Sequence, residues 1–197
     1  SDVTATIAMA KLIKGKQPRL FDYLLQNRGK KQIAAMLNLK ERKPFFHISG
    51  MLSKAHMYGA IMMPLAKHPT NSNGIICIDL SADPEALISL NAEQIRHLVF
   101  TAGDKLAEGE ERIPLKVIHI NKAPVATTPK LIDKQAALRL DIDLERCEKN
   151  WQRLMAVDVS KKVADVFVEQ TFAPKPEAEQ QLYGGFLPDQ DRGLLDD

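Results

Sequence analysis

The hydrophobic pattern changes texture at Phe45, and that change limits the folds open to the chain. Before it, apolar residues recur at helical spacing. After it come FFHIS, YGAIMMPLA and GIICIDL, short apolar runs bounded by turn formers, which read as strands. The last two are joined by His68-Pro-Thr-Asn-Ser-Asn-Gly74, a turn-rich connection that predicts an antiparallel pair. A further strand is expected at 114–121, with Leu115, Val117 and His119 on one face and Lys116, Ile118 and Ile120 on the other. Helices surround these strands in the sequence, so the fold class is α+β.

The helical segments carry their own signals. Residues 3–13, VTATIAMAKLI, are apolar almost all round, which predicts a buried helix packed on something larger. Lys14 to Pro18 is expected to break it, with short amphipathic helices following at 18–27 and 30–39 on either side of Gly29. Asp83-Pro84-Glu85 has the order of a helix start, and Asn91 with Gln94 forms a capping box. Three more helices are expected at 134–140, 144–155 and 160–170, the last opened by Ser160. Residues 172–182, FAPKPEAEQQL, have the composition of a linker, and an acidic end follows.

Composition then narrows the function classes. With 45% hydrophobic and 26% charged residues among 197, the chain can bury a sizeable core and is neither disordered nor a coiled coil. No apolar stretch approaches the ~18 residues of a bilayer span and no signal-peptide pattern opens the chain, so no membrane partner is expected. Cys77 and Cys147 are too few for a disulfide framework or a zinc site, and the expected location is the cytoplasm. Ser1 stands where a start methionine would, which predicts a chain cut from something longer.

Charge is unevenly spread. Residues 1–46 hold seven Lys and three Arg against Asp2, Asp22 and Glu41, a surplus of +7, while residues 175–197 carry a surplus of −4. The basic end could meet a polyanion or present a solvated helical surface. Its clusters Lys14/Lys16/Arg19, Arg28/Lys30/Lys31 and Lys40/Arg42/Lys43 are interleaved with Phe21 and Tyr23. Cations for phosphates and aromatics for stacking hold single strands without reading sequence, although Phe21 and Leu24 also fall at helical core spacing.

Catalytic motifs of the common kinds are missing: the five histidines show no H-x-x-x-H or H-x-E spacing, and there is no G-x-S-x-G elbow, Walker loop or G-x-G-x-x-G fingerprint. Cys77, within an apolar strand, reads as a core residue. Asp2 is the one acid in a suggestive place, at the first turn of an apolar helix, where a helix cap or a cation would satisfy it.

Four segments taken together resemble the bacterial exonuclease I family: SDVTATIAMAK at 1–11, QPRLFDYL at 17–24, PLKVIHINKAP at 114–124 and QLYGGF at 181–186. The resemblance runs through essentially the whole chain. It implies a DEDD-type 3′→5′ single-strand DNA exonuclease, in which an RNase H-like catalytic domain, an SH3-like domain and a helical domain close around the strand. The fold implied is an SH3-like antiparallel β domain with several helices, preceded by the last helix of the exonuclease domain. Divided accordingly, 1–17 is that helix, 18–171 the SH3-like domain, and 172–197 the linker and start of the helical domain.

The same resemblance makes Asp2 the last carboxylate of an H-D-A-x-x-D motif that binds catalytic Mg²⁺. One carboxylate cannot assemble a two-metal site, so no complete catalytic set is expected in this chain and the chain alone should be inactive. The implied partners are single-stranded DNA, met by Lys14, Lys16, Arg19, Arg28, Lys30 and Lys31, and the acidic C-terminal tail of single-stranded DNA-binding protein. Tyr23 and Lys43 match positions of the tail pocket and its basic ridge. The family's glutamine is replaced by Thr128 and its carboxylate-gripping arginine falls near Asp133, leaving Lys130 and Lys134 as substitutes that lack the bidentate fork. A monomer is expected. A different reading of the same residues is a basic interaction module with no hydrolytic parent, which the gene sequence upstream of Val3 would distinguish.

Overall fold

The computed structural model describes residues 2–168, so the predicted linker and acidic end lie outside the described residues. The runs after Phe45 pair as one antiparallel sheet of five strands: β1 (Phe45–Ile48), β2 (Gly59–Lys67), β3 (Gly74–Asp79), β4 (Leu115–His119) and β5 (Val125–Thr127). Their spatial order is β4-β3-β2-β1-β5. The connection at 68–73 closes the β2–β3 hairpin, with the Gly74 N–H donating to the Asn71 carbonyl at 2.9 Å. Gly74 allows this closure because a Cβ there would stand 2.8 Å from the His68 Cβ. Pro64, in the middle of β2, has no N–H for the ladder, and the β2–β3 register slips between Pro64 and Ala66.

Both faces of the sheet are covered, which is why β2 is buried from Gly59 to Ala66 and reads as an unbroken apolar run. On one face Ile61, Met63, Leu65, Ile76 and Ile78 enter the larger core. It is closed by α4 (Glu85–Ser89), α5 (Ala92–Phe100), α7 (Leu144–Met155) and α8 (Ser160–Val166). On the other, Phe45, Ala60, Met62, Ile75, Cys77 and Ile118 form a smaller core with Ile33 and Leu37, from α3 (Lys30–Met36) and the residue after it. The predicted alternation along β4 holds: Leu115 and Val117 pack on the first core, Ile118 and Ile120 in the second. The short edge strand β5 was not anticipated, its three residues being too few to show a period.

Helix limits differ from expectation where local chemistry decides them. The first helix, α1, runs from Asp2 to Lys16, past the expected break, and stops because Gln17 precedes a proline and is held out of the helical region at φ −139°. Then α2 spans Pro18–Gln26, and α3 ends at Met36 rather than 39. The predicted capping box is present, with Asn91 Oδ1 accepting the Gln94 N–H and Gln94 Oε1 the Asn91 N–H. Asp83 Oδ1 likewise accepts the Glu85 N–H at 2.9 Å. At α8 the cap position falls on Val159, which has no side-chain cap bond, and Ser160 is the first helical residue; Asp158 Oδ1 accepts both the N–H and the hydroxyl of Ser160, which lowers the Asp158 pKa, and the helix ends at Val166. Within the described residues α1 is not buried; Val3, Ile7 and Leu12 are each at least 50% exposed.

Candidate partner and nucleic-acid interface

Three of the residues predicted to bind an acidic tail share one cavity. Lys43, Thr128 and Lys130 line a volume of about 500 Å³ with Ile61, Leu80, Ile132, Leu144 and Trp151. The β1–β5 pairing creates it by bringing residue 128, just past β5, beside the segment that enters β1. Thr128 caps the 3-10 turn Pro129–Leu131. Lys43 lies at the rim, its side chain 71% exposed and its Nζ 2.6 Å from Glu41 Oε2. Such an exposed pair is weak, so an incoming carboxylate can exchange with Glu41. Cys147 on the wall is a buried thiol pushed up to about 12, by burial first and by Asp79 and Asp143 next, and is no nucleophile.

Tyr23 and Lys134 do not line this cavity. Tyr23 is half-buried on α2, and Lys134 is the first residue of α6 (Lys134–Arg139), exposed. Asp133, where the resemblance would place an arginine, caps α6 by accepting the Ala136 N–H at 2.7 Å. Sequence reasoning missed Trp151 and named Arg42 only as part of a basic cluster. The Trp151 indole donates to the Arg42 carbonyl at 3.0 Å, and Arg42 donates to the Leu154 and Val157 carbonyls at 2.9 and 3.1 Å. The spacing Leu144, Cys147, Trp151, Leu154 marks a core-facing stripe of α7, but no periodicity tells which of these residues reaches a cavity.

The six residues predicted to meet DNA are all exposed and fall at the two ends of α2. Lys14, Lys16 and Arg19 gather at the α1–α2 corner; Arg28, Lys30 and Lys31 gather at the α2–α3 corner, about 13 Å away across a nine-residue helix. Lys14 and Lys16 sit in the last turn of α1, where the helix dipole favours cations, and Lys14 Nζ stands 5.9 Å above the Phe21 ring. Lys30 and Lys31 occupy the first turn of α3, where the dipole disfavours them and a phosphate would relieve the conflict. Phe21 and Leu24 are half-buried and line, with Leu25, Met9 and Ile13, a groove of about 610 Å³; α2 buries no residue, and neither side chain joins the two cores, so the expected core role of these residues is not what the fold gives them.

Asp2 lies inside the first turn of α1 and is exposed; it is not the preceding cap residue. Among the described residues no group of three or more His, Cys, Asp or Glu could hold a metal ion, so these residues do not by themselves fit the expected Mg²⁺. His47, buried on β1, donates its Nδ1–H to the Val125 carbonyl at 2.8 Å, and burial holds its pKa below the usual value. It fastens β1 to the end of β5. No helix of the described residues is long and apolar enough to cross a membrane.

Residues 28–169 match the exonuclease I SH3-like domain. The chain belongs to that family. It is similar to exodeoxyribonuclease I of Haemophilus influenzae, 42% identical over 99% of this chain and 42% of that protein. Exodeoxyribonuclease I of Escherichia coli is 38% identical over 99% of this chain and 41% of its own length. The crystal structure of the zinc-bound E. coli exonuclease I with single-stranded DNA superposes with a TM-score of 0.82 at 38% identity, covering 99% of this chain and 42% of that one. The chain thus spans about two fifths of the length of these relatives. The five-stranded sheet with its flanking helices is the SH3-like α+β architecture of the family.

Proposed function

We propose that the chain is part of an exodeoxyribonuclease I that degrades single-stranded DNA processively from its 3′ end by Mg²⁺-dependent phosphodiester hydrolysis, as a cytoplasmic monomer. The observation that carries this reading is identity of 38–42% to such enzymes across 99% of the chain. In this reading residues 1–17 are the last helix of the exonuclease domain, which accounts for the exposed apolar residues of α1, and 18–171 is the SH3-like domain. Asp2 supplies one metal ligand, and the remaining ones come from outside the described residues. The chain's own contribution is DNA-facing cations and a docking cavity, rather than a reacting group.

The α1–α2 and α2–α3 corners hold the strand through its phosphates. Each phosphate neutralised on a single strand contributes roughly −0.7 to the slope of log affinity against log salt, so six engaged cations give at most about −4. Titrating a labelled oligonucleotide from low to physiological salt should show weak binding, no sequence preference and a steeply negative slope. A flat salt response would remove the DNA-contacting role of these residues.

The cavity at Lys43, Thr128 and Lys130 takes an acidic peptide ending in an apolar residue, the tail of single-stranded DNA-binding protein. Two cations at its edge attract the carboxylates, and Trp151, Leu80 and Ile132 offer the apolar wall. Lys43→Glu should weaken tail-peptide binding roughly threefold to tenfold at low salt and less at high salt, with the fold intact, since the side chain is exposed. Equal affinity of wild type and Lys43→Glu at low salt would show that the peptide binds elsewhere.

A further inference from the structure

Arg42 is held by three hydrogen bonds, two to α7 and one to the segment just after it. Its guanidinium donates to the carbonyl of Leu154 in the last turn of α7, where the helix dipole favours a cation, and to that of Val157 just past the helix. Its own carbonyl accepts from the Trp151 indole, one turn back on the same helix. The residue adopts φ +49°, a left-handed conformation that a non-glycine side chain takes at a cost, and its Nε is buried without a hydrogen-bond partner among the described residues. Such a conformation persists only when the surroundings hold it. The neighbours so held are two residues that line the cavity: Lys43, next in the chain, and Trp151.

We propose that Arg42 is a positioning residue for the docking cavity, clasping the 40–44 segment to α7 so that Lys43 and the Trp151 ring are preset for a carboxylate-bearing peptide with an apolar end. The inference rests on the docking reading above and assigns what shapes that site. Preorganisation of this kind sets affinity by removing ordering that binding would otherwise require. A lysine at 42 keeps the charge but not the two-pronged donation to Leu154 and Val157.

Trp151 is the only tryptophan in the chain, so its emission reports the cavity directly. In the 197-residue chain, Arg42→Met should red-shift Trp151 emission without peptide and weaken binding of a synthetic aspartate-rich peptide with an apolar C-terminal residue about tenfold. That loss should persist from low to physiological salt, unlike the loss from Lys43→Glu, because it comes from misplacement rather than from charge. Arg42→Lys should fall between, and it carries the test should circular dichroism show Arg42→Met unfolded. A folded variant with wild-type emission and wild-type affinity would overturn the proposal. A wild-type chain that leaves the peptide unbound would overturn the docking reading instead, and the two failures separate because the peptide-free emission does not depend on that reading.

Discussion

Incubated with Mg²⁺ and single-stranded DNA, the 197-residue chain is expected to release no nucleotides. Metal-assisted phosphodiester cleavage needs two ions clamping the attacking and leaving oxygens, and Mg²⁺ demands near-octahedral oxygen coordination. The described residues bring Asp2 and no grouped partners. In a protein that also carries the remaining carboxylates, Asp2→Ala should lower turnover by about 10³-fold or more, since a metal's share of transition-state stabilisation is several kcal/mol, about 4 kcal/mol for that factor. The fold should hardly change, because Asp2 is exposed in a terminal turn. Release of mononucleotides from a labelled 3′ end is the measurement. Magnesium-dependent release by the chain alone would refute the first claim, and near-normal turnover of the variant would reduce Asp2 to a dipole-complementing first-turn residue.

How much of this was legible in the sequence depends on how local the cause is. The strands at Phe45, Gly59 and Gly74 were readable because their runs are bounded by turn formers, and the capping box at Asn91 because its two partners lie three residues apart. The three-residue β5 was not, since it is defined by pairing with β1 across an interval of about 80 residues that no local pattern encodes. The same applies to the cavity. Lys43, Thr128 and Lys130 came from family likeness, whereas Trp151 and Arg42 meet only because α7 packs where it does. The all-round apolar character of 3–13 predicts a helix buried against something larger, yet among the described residues Val3, Ile7 and Leu12 stay at least half exposed. Periodicity reports that a face is apolar and leaves open what meets it.

Because α7 organises one wall of the cavity, its anchoring in the core is the remaining large effect. Leu154 is fully buried within the cluster that also holds Ile61, Leu80 and Val163, and Asn150, one turn earlier, donates to the carbonyls of Leu80 and Ala82 at 2.9 Å each. Leu154→Ala should destabilise by about 2–5 kcal/mol, from lost apolar burial plus the cavity left behind. That is a large fraction of the roughly 5–15 kcal/mol available to a domain. At about 2–4 °C per kcal/mol for a chain of this size, a middle value of about 3 kcal/mol lowers Tm by about 6–12 °C. Leu138→Ala, on the exposed face of α6 at 84% exposure, is the control and should stay within about 0.5 kcal/mol. Calorimetry or urea titration of the two variants decides the matter. Equal Tm values would mean that α7 is not fastened through Leu154, and the placement of Trp151 by that helix would lose its basis.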